Sequence, residues 1–205
     1  MPRDKALSHE RIIEAAKEEF QEYGYEKASM RRIGDRCGLT AAALYRHFDS
    51  KEAMFEALVK PAIDDLEEWV RARALRSDEK GTSSQDDFSS IWKCTEIDMM
   101  RELVYPRIAE FSLLLNKAGG SKYENFVHEL VSDHQKMIDE SFARAREMGR
   151  PARDVSEKEL HMLMTAYCTA LFEPVVHLYP LDEALKYLDT VECFFVKGWK
   201  DLMGY

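Results

Sequence analysis

Residues Ser29 to Phe48, SMRRIGDRCGLTAAALYRHF, constrain the fold more than any other stretch, because two short helical segments flank a glycine there. The Ser29 hydroxyl can accept a backbone N–H and open the first segment. Ile33 and Cys37, four residues apart, share one face. Gly38 stands where a helix ends, since only glycine enters the left-handed conformation without a Cβ penalty, and Leu39 then turns back toward a core. Thr40 restarts the chain as an N-cap. Ala41, Ala42 and Ala43 give the second segment a slim first turn that can approach base edges, while Leu44 and Phe48 hold it down at i, i+4 spacing. Tyr45, Arg46 and His47 are left facing outward or sideways, and all three can donate to phosphate oxygens. The whole reads as a helix-turn-helix, a device for placing a short helix, here about Thr40 to His47, in the major groove of DNA.

Charge supports that reading by its distribution. The 205 residues carry a net charge of −9, which excludes nonspecific nucleic-acid binding by the whole surface. Residues 1–60 hold 11 basic and 11 acidic side chains, so the entire excess lies beyond them. Between residues 27 and 51, Lys27, Arg31, Arg32, Arg36, Arg46 and Lys51 oppose only Asp35 and Asp49, a local charge of +4. A basic patch on an acidic body docks on DNA in one orientation.

Periodicity is helical nearly throughout and no stretch alternates long enough for a sheet, so an all-α fold is expected. A first helix, about His9 to Tyr23, buries Ile12, Ile13, Ala16, Phe20 and Tyr23 and leaves Glu10, Glu14 and Glu18 near solvent. With the two short helices it makes an N-terminal three-helix module. Asp49, Ser50, Lys51 and Glu52 cap a long fourth helix running to about Leu75, in which Pro61 should produce a kink. Ser77 to Asp87, SDEKGTSSQDD, reads as an exposed loop. Helices follow over Phe88–Val104, Pro106–Lys117 and Tyr123–Met148, and Ser156 with Glu159 forms a capping box for the next one. Pro180 separates that helix from the last, whose stripe is Leu181, Leu185, Leu188, Val191, Phe195, Trp199 and Leu202. These last two helices carry more apolar surface than one face needs. The domain expectation is a helix-turn-helix domain over residues 1–50 and a larger helical domain over residues 51–205.

Three strings, ERIIEAAKEEFQEYGYEKASM, IGDRCGLTAAALYRHF and DSKEAMFEAL, in this order and spacing, resemble the tetracycline-repressor (TetR/AcrR) family of bacterial one-component transcription regulators. The resemblance covers roughly the first quarter of the chain. The ending FEPVVHLYPLDEALKYLDTVECFFVKGWKDLMG also looks like that of many members. Carried over by position, the resemblance implies phosphate contacts at Ser29, Thr40, Tyr45, His47 and Lys51 and groove-facing positions at Arg31, Ala41, Ala42 and Ala43. Arg46 joins these on charge alone. The family usually has small residues at 41 to 43, often with a glycine, whereas all three are alanine here. Direct base readout is therefore expected to be thin, with Arg31, Arg32 or DNA shape carrying more of the preference. The resemblance further implies a homodimer through the last two helices, a near-palindromic double-stranded operator, and a cavity among the central helices for a small-molecule effector. Met99, Met100, Tyr105, Phe111, Met137, Phe142, Met162, Met164, Tyr167 and Phe172 are candidates for its lining, against the alternative of an ordinary core.

Other chemistry finds little support. Cys37, Cys94, Cys168 and Cys193 show no C-x-x-C spacing, so neither a zinc site nor a disulfide framework is expected. His128, His134, His161 and His177 are expected to be solvated or hydrogen-bonded rather than metal ligands. No Ser-His-Asp, P-loop or dinucleotide motif is present, so no catalytic residue and no cofactor is expected. No run reaches the length of a membrane span and MPRDKALSHER lacks a signal-peptide core, which points to the cytoplasm. The expected function is a ligand-released repressor. The alternative is a helical protein-interaction module that has lost DNA binding.

Overall fold

The computed structural model describes residues 2–79 and 95–204, with the side chains of residues 9–72, 96–132, 139–140, 142–143 and 146–204. Every regular element among them is helical, as the periodicity predicts. The chain divides into two compact units. The first comprises Met1–Leu66 and Arg107–Glu124, the second Glu67–Pro106 and Asn125–Tyr205.

In the first unit, α1 spans Pro2–Lys27, but Gly24 interrupts it with φ of 74°, so the regular helix ends at Tyr23 and a separate turn carries residues 25–27. That turn corrects one expectation. Tyr23 lies 41% exposed, and Tyr25 takes the inward place, its ring centroid 5.2 Å from that of Phe55 and 6.1 Å from that of Phe20. The left-handed glycine redirects the chain, so helical spacing projected past it selects the wrong tyrosine. α2 (Met30–Cys37) and α3 (Ala41–Leu44) pack in sequence on α1. Ile12, Ala16, Phe20, Ile33, Leu44 and Phe55 are fully buried beneath them. Each of these isoleucine, leucine and phenylalanine side chains stabilises by about 1.5–3 kcal/mol relative to an exposed one.

α4 runs over Lys51–Glu79, four residues beyond the expected end, so Ser77 to Glu79 are helical rather than loop. The remainder of that expected loop, and residues 88–94 of the helix expected after it, lie outside the described residues. Helical conformation continues through Pro61, which is exposed and has no N–H to donate to the carbonyl of Ala57, itself an exposed residue. Ser50 Oγ accepts the Ala53 N–H at 3.0 Å and caps the helix as expected. α6 (Ile108–Asn116) packs on α1, and the turn after it is tied to the first unit, with Tyr25 N–H donating to the Lys117 carbonyl at 2.7 Å and Lys122 N–H to Glu52 at 3.2 Å.

In the second unit, α5 (Thr95–Met99) widens into a π-helical turn over Met100–Val104 and then tightens at Tyr105–Arg107, where the proline lies. α7 (Phe126–Glu147) packs on α8 (Glu157–Val176), and α9 (Leu181–Met203) packs on α5, α7 and α8. The capping box is formed: Ser156 Oγ accepts from Glu159 N–H, and the Glu159 carboxylate accepts the Ser156 N–H at 2.9 Å. The Ser156 hydroxyl, donating to the Glu159 carboxylate at 2.6 Å, and then the Ser156 N–H hold the Glu159 carboxyl below the usual carboxylate range. The buried stripe of α9 runs through Ala184, Leu188, Val191, Val196, Trp199 and Met203. Leu181, Leu185, Phe195 and Leu202 of the expected stripe are only partly covered.

Candidate nucleic-acid interface

α2 stops at Gly38, whose φ of 72° is left-handed and whose N–H donates to the Gly34 carbonyl. Leu39 N–H donates to the same carbonyl at 2.8 Å, and an Arg11 guanidinium nitrogen donates to the Cys37 carbonyl at 3.0 Å. The turn closes so tightly that a Cβ on Gly34 would lie 2.6 Å from the Leu39 carbonyl oxygen. Gly34 is therefore the second glycine this motif requires, for close approach instead of a positive φ, and only the glycine's place inside an otherwise helical run hinted at it.

Thr40 caps α3 as expected, its hydroxyl accepting the Ala43 N–H at 3.1 Å. The α-helical part is shorter than the expected span to His47. Arg46 N–H donates to the Ala43 carbonyl at 3.2 Å and His47 N–H to the Leu44 carbonyl at 2.8 Å, bonds to the third preceding residue that wind the end into a tighter turn. Ala43 and Leu44 face inward, Ala42 is exposed, and Ala41 is half-buried. Tyr45 is 51% exposed, Arg46 is exposed and His47 is half-buried, so the outward trio expected from sequence does surround the slim helix. Phe48 is buried and stacks on His9 at 5.4 Å between ring centroids.

A buried carboxylate organises α2. Glu19, fully buried on α1, accepts the Ser29 N–H at 3.0 Å and Arg32 Nε at 2.7 Å, while Arg36 Nε lies 3.4 Å from its other oxygen. Ser29 is indeed the N-cap of α2, but its hydroxyl makes no capping bond. The carboxylate of Glu19 fills that place, with its charge beside the positive end of the helix dipole. Arg32 also donates to the Lys27 carbonyl at 2.6 Å and lies over the Tyr23 ring at 4.3 Å. Arg36 pairs with Glu18 at 3.2 Å and with Glu22. The hydrogen bond to Glu19 raises the Arg32 pKa, that to Glu22 raises Arg36, and Glu22 is lowered by its bonds to Tyr23 and Arg36. Of the three arginines on α2, only Arg31 is exposed without such ties. Glu19 escaped the sequence reading because it falls among glutamates that do face solvent.

Lys51 begins α4, where its charge opposes the helix dipole. Its ammonium donates to the carbonyls of Tyr25 at 2.8 Å, Glu26 at 3.1 Å and Ala28 at 3.4 Å, and rests 4.4 Å from the Tyr25 ring centroid. These carbonyls at and just beyond the end of α1 offset that cost.

The ligand candidates distribute unevenly. Met99, Met100, Phe142, Tyr167 and Phe172 are buried in the second unit, and Tyr105, half-buried, donates its hydroxyl to the Tyr179 carbonyl at 2.9 Å. Met164 is half-buried and Met162 is 71% exposed, outside any core. Phe111 is buried and belongs to the first unit. The side chain of Met137 lies outside the described residues, as do Cys94 and the His134 side chain. Burial first, and then the Glu96 carboxylate, pushes the Cys168 thiol up to about 12, which keeps it a neutral thiol. No helix among the described residues is long and apolar enough to cross a membrane.

Comparison with known proteins agrees with this geometry. Residues 12–58 match the family model described as bacterial regulatory proteins, tetR family. The HTH-type transcriptional repressor AcnR of Corynebacterium efficiens is 26% identical over 161 residues, 77% of this chain and 76% of that protein. The HTH-type transcriptional repressor Rv1474c of Mycobacterium tuberculosis is 32% identical over 103 residues, 48% of this chain and 52% of that protein. The fold is shared with the fatty acid degradation regulator FadR from Bacillus halodurans, at a TM-score of 0.55 and 16% identity over 93% of this chain and 98% of the other. It is shared as well with a TetR family transcriptional regulator from Chloroflexus aurantiacus, at a TM-score of 0.51 and 16% identity over 97% and 92% of the two chains. Residues 12–58 thus carry a DNA-binding helix-turn-helix of the tetR type, and the chain is similar over up to 77% of its length to proteins named as HTH-type transcriptional repressors, which supports a DNA-binding transcriptional regulator.

Proposed function

We propose that the protein is a cytoplasmic, homodimeric repressor that a small molecule releases from a near-palindromic operator. DNA binding is assigned to residues 1–50, dimerisation and effector binding to residues 51–205. The observation that carries the reading is the helix-turn-helix surface: α3 follows a tight turn, Arg31, Tyr45 and Arg46 are exposed, and Arg32 and Arg36 are held by carboxylates. Contacts to phosphate from Ser29, Thr40, Tyr45, His47 and Lys51 position α3, and Arg31 with Ala41 and Ala42 meets the groove, Ala43 being turned into the core. For Lys51 such a contact means releasing one of its carbonyl partners.

Repression follows the named roles of the AcnR and Rv1474c relatives. The homodimer is supported by large apolar side chains left exposed on the last two helices, Met162 at 71% on α8 and Phe194 at 75% on α9. Two copies joined there present two α3 helices to successive major grooves, about 34–36 Å apart. An effector held among the central helices weakens operator binding by its differential affinity for two arrangements of the modules, with α4, whose residues belong to both units, as the relay.

Selection from random duplex DNA by the purified protein, with the enriched pool measured at two salt concentrations, tests this. Enrichment of an inverted repeat with steep salt dependence is expected. Tyr45→Ala should weaken binding to all sequences with the salt slope unchanged, since its hydroxyl carries no charge, whereas Lys51→Ala should also reduce the slope by about 1. No enrichment at low salt sinks the repressor reading in favour of a helical interaction module.

A further inference from the structure

We propose that His128 and His161 form a binding site for a divalent transition-metal ion of the imidazole-preferring kind, Zn²⁺, Ni²⁺ or Cu²⁺, bridging α7 and α8. The Nδ1 atom of His128 and the Nε2 atom of His161 lie 3.2 Å apart, with ring centroids 4.7 Å apart and planes at 81°. Without an ion, one ring N–H donates to the other ring's lone pair. An ion that takes the place of that shared proton finds both lone pairs converging.

The spacing suits coordination. Imidazole nitrogens bind Zn²⁺ at about 2.0–2.1 Å. Two such bonds whose nitrogens are 3.2 Å apart enclose an angle of about 100°, between the octahedral and tetrahedral values. The spacing is also fixed by rigid elements. His128 sits in the first turn of α7 and His161 in the second turn of α8, and these helices pack on each other within one unit. Ser132 Oγ donates to the His128 carbonyl at 2.9 Å and Thr165 Oγ1 to the His161 carbonyl at 2.8 Å, so each histidine's next turn is tied back to it.

His128 is exposed, which gives an ion access from solvent. Among the described residues no third histidine, cysteine or carboxylate completes a cluster, so water fills the remaining positions. Soft, thiolate-selected ions are thereby disfavoured. The sequence concealed the pair, because the two histidines are 33 residues apart and only the packing of α7 on α8 joins them.

Isothermal titration of the untagged full-length protein with NiCl₂ and, separately, ZnCl₂ tests the site. One ion per chain is expected in the unaltered protein. His128→Gln and His161→Gln should each abolish binding while retaining the helical circular dichroism signal, and His9→Gln and His177→Gln should leave it intact. A second measurement needs no variant: Ni²⁺ should protect His128 and His161, and neither His9 nor His177, from diethyl pyrocarbonate, read by mass spectrometry. Absence of saturable binding, binding that survives either central substitution, or equal modification of the pair with and without Ni²⁺ would overturn the proposal.

Discussion

Gly34→Ala should damage DNA binding out of proportion to its effect on stability. The added Cβ would lie 2.6 Å from the Leu39 carbonyl oxygen and 3.4 Å from the Ala41 nitrogen, whereas ordinary contact begins near 3.4 Å, so the turn must retreat by about 0.8 Å. The atoms in the way are backbone, and no rotamer change relieves them. Retreat also stretches the Leu39 N–H bond to the Gly34 carbonyl, now 2.8 Å. Overpacking of this kind costs about 1–3 kcal/mol and a weakened hydrogen bond about 1 kcal/mol, offset by about 1 kcal/mol from replacing glycine in a helix. The net is about 2 kcal/mol, a drop in Tm of about 4–8 °C for a chain of this size. Because the retreating turn carries α3, contacts worth about 1–3 kcal/mol each are misaligned, and affinity for a selected operator should fall at least about tenfold. Gly38→Ala is the control. It forces alanine to a φ of 72° at a cost of about 1–2 kcal/mol, but its Cβ meets nothing nearer than an Arg11 guanidinium nitrogen at 3.8 Å. Its Tm should fall comparably while operator affinity changes by less than about threefold, roughly half a kcal/mol. Thermal unfolding and fluorescence anisotropy on the same preparations decide it. Equal loss of affinity in both variants, or an unshifted Tm for Gly34→Ala, refutes the reasoning.

Glu19→Gln should cost about 1–3 kcal/mol in urea unfolding, because it removes the buried charge that joins the α2 N-terminus to Arg32 and Arg36; a double cycle with Arg32→Met that shows no coupling would contradict this. Lys51→Met keeps the aliphatic stem but strips three carbonyls at the end of α1 of their donor, and should lower stability by about 1–2 kcal/mol in the same assay. Tyr25 is pushed up to about 12, first by burial and then by its hydrogen bond to Glu52. Raised above the unfolded value near 10, it contributes stability held fully below pH 10 and lost as pH rises toward 12. The unfolding free energy should therefore fall less steeply over that window in Tyr25→Phe than in the unaltered protein; identical slopes would count against the assignment.

How much was legible in the sequence followed from how local the physics was. The Gly38 stop, the Thr40, Ser50 and Ser156 caps and the all-helical class depend on residues within one turn of each other, and each is present as read. Helical spacing failed where a single backbone angle changed the phase, as at Gly24, which put half-buried Tyr25 in place of Tyr23 against Phe20 and Phe55. It failed again in sorting charge. The local +4 counted Arg32, Arg36 and Lys51 as free cations, yet all three are engaged by groups 13 or more residues away: Glu19 and Glu22 for the arginines, the Tyr25, Glu26 and Ala28 carbonyls for the lysine. It grouped Phe111 with candidates that lie in the other unit. The sequence by itself determined the helical class, most of the caps and the place of the helix-turn-helix, because those rest on short-range propensity and periodicity. Only the tertiary structure decided which glycine must lack a side chain, which glutamate is buried, which arginines remain outward and which histidines meet, because each depends on atoms brought together from distant positions by packing.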